Sequence, residues 1–327
     1  MTVEDRAPVT RQSSVRTQLE VRSRPRVVWW AWLGAAFVVI EAVAMIGWFA
    51  SGHAAPTHAI AADVPLHVKV SAVVIQTICV LTFIAVVIHV VRQCRRQRSF
   101  TFAAVLTIVG ASLFWQDPLM NYIKAQTGYN SYYVNLGNWT SDVPGWLSPN
   151  AHLLPEGLLL ELPIYGSMFL IAMLGVATMR KARNRWPTIS VAGLIAVAFG
   201  TQILFDVVIE FLINIPSHAY GWSATISWLT LFGNEVWRFP LYEGVFASFV
   251  YAPAAILLFF LDDRGRSVVE QGIERVRGGS LKRNVIRVLA VAGVLNLCFL
   301  GYTLPVTWIG LHADRHYTLP SYLSNGM

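Results

Sequence analysis

The sequence predicts an all-α, polytopic transmembrane helix bundle of about seven spans. Three observations predict it. Of 327 residues, 55% are hydrophobic and only 13% are charged, with a mean hydropathy of +0.52; soluble domains carry about 25% charged residues. Near-continuous apolar runs of roughly 20 residues recur, the length a helix needs to cross a bilayer. The basic residues gather in short segments between those runs.

Taken in order, the first span, 27–50, follows the polar, basic stretch MTVEDRAPVTRQSSVRTQLEVRSRPR. That stretch is too long and polar to be a cleaved signal peptide, and reads as a disordered tail over 1–26. A single transmembrane domain then fills 27–327. The second span, 67–91, ends at RQCRRQR. The third, 100–117, is short if it stops at Asp117; Pro118 need not end it, since a proline kink inside a membrane helix is tolerated, but the chain is expected to turn into the outer loop there. The fourth, 157–179, precedes RKARNR, and the fifth, 189–213, contains TQILFDVVIEFLIN. The sixth, 241–261, runs into DDRGR, and the seventh covers 285–309.

Charge sets the orientation. With the N-terminus in the cytoplasm, 21 of the 25 Lys and Arg fall on the cytoplasmic side, leaving Lys69, Lys124, Arg238 and Arg315. This is the positive-inside pattern, and seven spans then place the C-terminus outside. The net charge of +7 is thereby explained without nucleic acid. Two longer segments, 118–156 and 214–240, become outer loops rich in Trp, Tyr, Asn, Gly and Pro. The three cysteines, Cys79, Cys94 and Cys298, have no CxxC spacing and form no disulfide framework or zinc site.

Acids inside apolar spans are costly and mark function. Gln202, Asp206, Glu210 and Asn214 recur every four residues, a step that drifts only about 40° around a helix, so they share one side. Glu41 lies in the outer half of the first span, Asp117 ends the third, Glu161 opens the fourth with Tyr165 one turn on, and Glu243 opens the sixth. The topology brings all of them to the outer leaflet, which predicts an acidic cavity walled by aromatics. Competing readings are interfacial charges for Asp117 and Glu243, and a hydrogen-bonded packing pair for Asp206 and Glu210. His312 and His316 flank Asp314 at metal-ligand spacing, but a solvated tail explains them. No HExxH, Walker loop, serine elbow or dinucleotide fingerprint occurs. The seventh span has no lysine, which excludes a retinal Schiff base there.

Several segments together resemble the AveC-type spirocyclase family: WQDPLMNY at 115–122, YN at 129–130, NLGNWTSDVPGW at 135–146, FDVVIE at 205–210, DDRGRSVVEQGIERVR at 262–277 and SYLSNG at 321–326. The likeness runs in order from about residue 28 to the C-terminus. It implies a membrane enzyme of actinobacterial macrolide antibiotic biosynthesis that closes a dihydroxyketone polyketide into a spiroketal, with dehydration as well in some members. Asp117 falls in the matching QDP segment, and Asp206 and Glu210 in the matching FDxxxE segment.

Such a closure needs a proton donor for the leaving oxygen, a negative charge near an oxocarbenium ion and a base for the attacking hydroxyl. Paired carboxyls supply all three without metal, nucleotide or other cofactor. Asp206 and Glu210 are the expected acid–base pair, and Asp117 the group that stabilises the cation or orients the substrate. Trp115, Gln116, Asn121, Tyr122, Tyr129, Asn130 and Trp139 are expected to contact an apolar polyketide that arrives through the bilayer. Glu41, Glu161, Tyr165, Gln202, Asn214 and Glu243 join them as candidate substrate contacts. The alternatives are an export factor for the same apolar metabolite, since intramembrane acids also serve proton coupling, and a lipid-binding sensor or scaffold. Against transport, the sequence has no inverted repeat with matched broken helices.

Overall fold

The computed structural model describes residues 26–58 and 64–324; the expected tail lies outside them apart from Arg26. The chain folds into a helical bundle whose long helices follow the expected spans. They are α1 (Arg26–Ala50), α2 (Leu66–Gln97), α3 (Phe102–Leu113), α4 (Leu158–Gly166), α5 (Met168–Arg185), α6 (Val191–Ile209), α7 (Leu241–Phe259) and α8 (Ser280–Leu311). Six segments among the described residues are long and apolar enough to cross a membrane, and the bent pair α4–α5 brings the number to seven. A short helix α9 (Ser321–Ser324) lies near the end of the chain.

Two expectations about the third and fourth spans need correction. Pro118 does not turn the chain into the loop; as a tolerated proline should, it stays inside the span. Past Leu113 the backbone tightens into a 3₁₀ helix, Phe114–Asn121, that carries Asp117 and runs through Pro118. A proline ring clashes with the carbonyl four residues back, here Phe114, where the α-helix gives way. The fourth span is not one helix: α4 and α5 meet at Ser167 with a bend of 47°. Pro163 inside α4 removes a ladder donor just before that bend. The fifth span also departs from α geometry. It continues past Ile209 as a π turn, Glu210–Asn214, and a last α turn, Ile215–Ser217.

The burial pattern explains the arrangement. Helix α3 is buried nearly all round, its Val105, Leu106, Val109 and Leu113 packed with Leu295 and Phe299 of α8 and Met168 of α5. An all-apolar helix of this kind belongs at a bundle centre. Helix α2 instead leaves Leu81, Ile84 and Ile88 exposed, a lipid-facing surface. Helices α1 and α8 touch backbone to backbone. A Cβ on Gly34 would strike the Leu289 carbonyl, and one on Gly293 the Trp30 carbonyl, the close approach that small residues permit in membrane helices.

The two long loops, 118–156 and 214–240, pair with each other. Strand β1 (Thr127–Tyr129) runs antiparallel to β2 (Tyr220–Trp222), with Gly128 opposite Gly221. Strand β3 (Ala224–Thr225) pairs with β6 (Arg315–His316), and β4 (Thr230–Leu231) with β5 (Phe239–Pro240). Leu323 of α9 is fully buried against the glycines of β1 and β2. The DDRGR segment is a built turn: one Asp262 oxygen accepts from the backbone N–H groups of Arg264 and Arg266. Nearby, buried Glu270 accepts from Ser267 in a capping box and from Arg287 Nε at 2.6 Å.

Candidate functional site

The broken helices and paired loops enclose a cavity of about 360 Å³. Its walls bring together Asp117 from the 3₁₀ segment, Glu161 from α4, Asp206 from α6, Glu210 from the π turn and Glu243 from α7. Tyrosines alternate with them: Tyr129 on β1, Tyr165 on α4, Tyr220 on β2, Tyr251 on α7 and Tyr302 on α8. No Lys, Arg or His lines the cavity among the described residues.

The carboxyls form two groups. In the first, Asp117 accepts from the Tyr129 hydroxyl at 2.7 Å and the Tyr165 hydroxyl at 2.5 Å. Glu156 is buried behind the wall, close enough to Asp117 to feel its charge. Burial, and then the Asp117 charge, push the Glu156 carboxyl well above the usual carboxylate range. The same two causes push the Tyr129 hydroxyl up, so it remains a donor. In the second group, Asp206, Glu210 and Glu243 each present an oxygen within 4.8 Å of the others. Asn214 Nδ2 donates to Glu210 at 2.5 Å, and the Tyr302 hydroxyl to Glu243 at 3.3 Å. Tyr220 lies on the same wall, and burial followed by the Glu210 charge raises its hydroxyl far above its ordinary value.

The π turn explains how α6 presents this stripe. Its extra residue per turn re-aims Glu210 and Asn214, so that both line the cavity with Asp206. Gln202 lies deeper, buried toward Gly175 of α5, and does not reach the wall. Three convergent carboxylate oxygens could also hold a divalent cation, because hard cations take oxygen ligands.

Of the expected site residues, Asp117, Tyr129, Glu161, Tyr165, Asp206, Glu210, Asn214 and Glu243 line the cavity. The others lie elsewhere and support the frame. Glu41 accepts from Ser112 at 2.7 Å between α1 and α3. Trp115 Nε1 and Gln116 Nε2 both donate to Asn296 Oδ1 on α8, at 2.9 and 2.6 Å. Trp139 Nε1 donates to the Trp115 carbonyl. Asn121 Oδ1 accepts from the backbone N–H groups of Gln126 and Thr127. Asn130 bonds Tyr132 and Val68, and the Tyr122 hydroxyl bonds the Pro144 carbonyl. These polar and aromatic residues hold the Asp117 segment and the loop over it; hydrogen-bonding character alone could not separate them from the wall.

Sequence reasoning missed Glu156, Tyr220, Tyr251 and Tyr302. Tyr251 and Tyr302 sit in apolar spans, where a tyrosine at bundle depth carries the same signal as an acid. Glu156 gave no such signal, because it lies in a loop.

A family model described as "Spirocyclase AveC-like" matches residues 95–320 of this chain. The chain belongs to the AveC-like spirocyclase family. No curated protein and no solved structure matches it. The matched stretch contains every carboxyl of the cavity as well as Glu156. Membership supports a spirocyclase role in polyketide biosynthesis, an enzyme of the cyclase type in a multi-pass membrane protein.

Proposed function

We propose that this AveC-like protein closes a dihydroxyketone polyketide into a spiroketal within the tyrosine-lined cavity. One substrate hydroxyl adds to the ketone carbon and gives a hemiketal. Protonation of the hemiketal hydroxyl lets water leave, and the second hydroxyl attacks the resulting oxocarbenium ion and gives up its proton. The net change is loss of one water, with no oxidation. The observation that carries this reading is the convergence of Asp206, Glu210 and Glu243 within 4.8 Å, on two helices facing one cavity.

Asp206 and Glu210 are the acid–base pair, passing one proton to the leaving oxygen and taking one from the attacking hydroxyl. Asp117 supplies negative charge near the cation, its position held by Tyr129 and Tyr165. A related cation is handled by paired carboxyls in glycoside hydrolysis. Tyrosine faces around the cavity set which face of the cation is attacked, so stereocontrol is the main contribution of the fold. Lys and Arg placement supports a plasma-membrane orientation with the cavity toward the outer leaflet.

The test uses purified protein in detergent and a synthetic ketodiol. Spiroketal formed without a sealed compartment, with a diastereomer ratio that collapses toward the uncatalysed one in Glu210→Gln, supports the cyclase. Product ratios identical in wild type and variant remove this mechanism. Function only in vesicles carrying a proton gradient favours export.

A further inference from the structure

The cavity is not closed on the membrane side. Helices α2 and α6 flank it without packing along each other; α2 lies against α3 and α4, and α6 against α5 and α7. Near the start of α2, Ser71 Oγ donates to the carbonyl of Ser217, in the last α turn beyond α6. Ile78 on α2, Leu170 on α5 and Ile213 on the π turn line the gap and are 57%, 49% and 37% exposed. Cys79, Thr82 and Phe205 line its inner part.

Depth identifies the surroundings of this gap. At about 1.5 Å per residue, Ile75 to Thr82 lie roughly 13–24 Å below the start of α2 at Leu66. Phe205 to Ile213 lie about 6–18 Å below Ser217. A hydrocarbon core is about 30 Å thick, so the gap opens onto acyl chains. Over its outer end, β1, β2 and the Ala72–Tyr133–Leu160–Ala219 cluster form a packed roof.

Size adds a second constraint. A cavity of about 360 Å³ is near the small end of ligand pockets, which run from about 300 to 1,000 Å³. It takes a bicyclic spiroketal with short substituents. A larger substrate must project through the opening.

We infer that the gap between α2 and α6 is a lateral entry and a binding subsite for the hydrocarbon arm of the substrate, whose ketodiol head sits among the carboxyls. This rests on the spirocyclase reading for the identity of the head group. A phospholipid acyl chain fits less well, because the closed outer end would drag its headgroup into hydrocarbon, where unpaired polar groups are penalised. The oxygens of a ketodiol find partners inside, in Tyr129, Tyr165, Tyr220 and the acids around them.

The experiment uses wild-type protein in lipid nanodiscs and a long-arm ketodiol with an aliphatic diazirine at the end of the arm. Irradiation and peptide mapping are expected to place adducts within 75–82 and 205–213, reduced about tenfold by excess unlabelled ketodiol. Adducts in the outer loops, or no adducts, overturn the inference. Adducts in the gap that unlabelled ketodiol does not displace assign it to lipid and also overturn it. Labelling needs binding alone, so adducts in the gap without spiroketal product would sink the cyclase reading and leave the entry standing. Product with adducts elsewhere does the reverse. Independently, Ile78→Trp is expected to raise the ratio of KM for long-arm over short-arm ketodiols by about tenfold; an unchanged ratio counts against the entry.

Discussion

Replacing Asp206 by Asn keeps the shape of the side chain and removes its charge. Of the three acids that converge from α6 and α7, Asp206 is the one with surface open to the cavity; Glu210 and Glu243 are buried. It is therefore the acid of the three that a substrate in the cavity meets most directly. The three oxygens lie within 4.8 Å of one another, and an oxocarbenium centre in the cavity is placed for this purpose at about 5 Å from Asp206. At an effective dielectric of about 20, one unit charge at that distance is worth about 3 kcal/mol. The loss expected in Asp206→Asn is thus about 10²-fold in the closure rate. The assay is initial spiroketal formation from a ketodiol by detergent-purified protein, with the uncatalysed rate subtracted and thermal unfolding checked in parallel. A correctly folded variant that retains wild-type turnover would refute the electrostatic role of this group.

Three further outcomes are expected. The Glu156 carboxyl is pushed up by burial and by Asp117, so the folded chain holds its proton more tightly than the unfolded chain. Its stabilising effect is complete below the unfolded value of about 4.3 and is lost as pH rises toward the folded one. Glu156→Gln keeps the size of the side chain and abolishes that titration, so its Tm should fall less than wild type between about pH 5 and 8; parallel pH profiles would contradict this. Asn296→Leu leaves the Trp115 donor without a partner and Gln116 with only the weaker backbone bond. A loss of about 2–4 kcal/mol of stability is expected in denaturant unfolding. Treatment with a chelator should leave turnover within about twofold; a loss restored by adding a divalent cation would move the chemistry onto the Asp206–Glu210–Glu243 oxygens as metal ligands.

Much of the fold was legible before any coordinates, because a bilayer imposes a length and a composition on each span. The apolar runs located the helices, and period-four spacing pointed to one side of α6, but the π turn brings Glu210 and Asn214 to the wall with Asp206, and Gln202 does not reach it. The breaks were less legible. Pro118 and Pro163 are visible as prolines, but whether a proline ends a helix, tightens it or lets it bend depends on what packs around it. Here Pro118 stays inside a continuing 3₁₀ turn, and α4 and α5 part at Ser167. Glu41 looked equivalent to Asp117, yet Ser112 holds it between α1 and α3.

By itself, then, the amino-acid order determined a multi-span helical bundle and the set of acids that are costly to leave facing lipid. It did so because hydrocarbon penalises charge and unpaired backbone wherever they occur along the chain. Tertiary structure alone decided which acids share a cavity, that Glu156 stands behind Asp117, and that α2 and α6 flank the cavity without packing along each other. Those facts depend on how helices pack and where loops pair, and such contacts join residues far apart in the chain whose spacing carries no trace of the meeting.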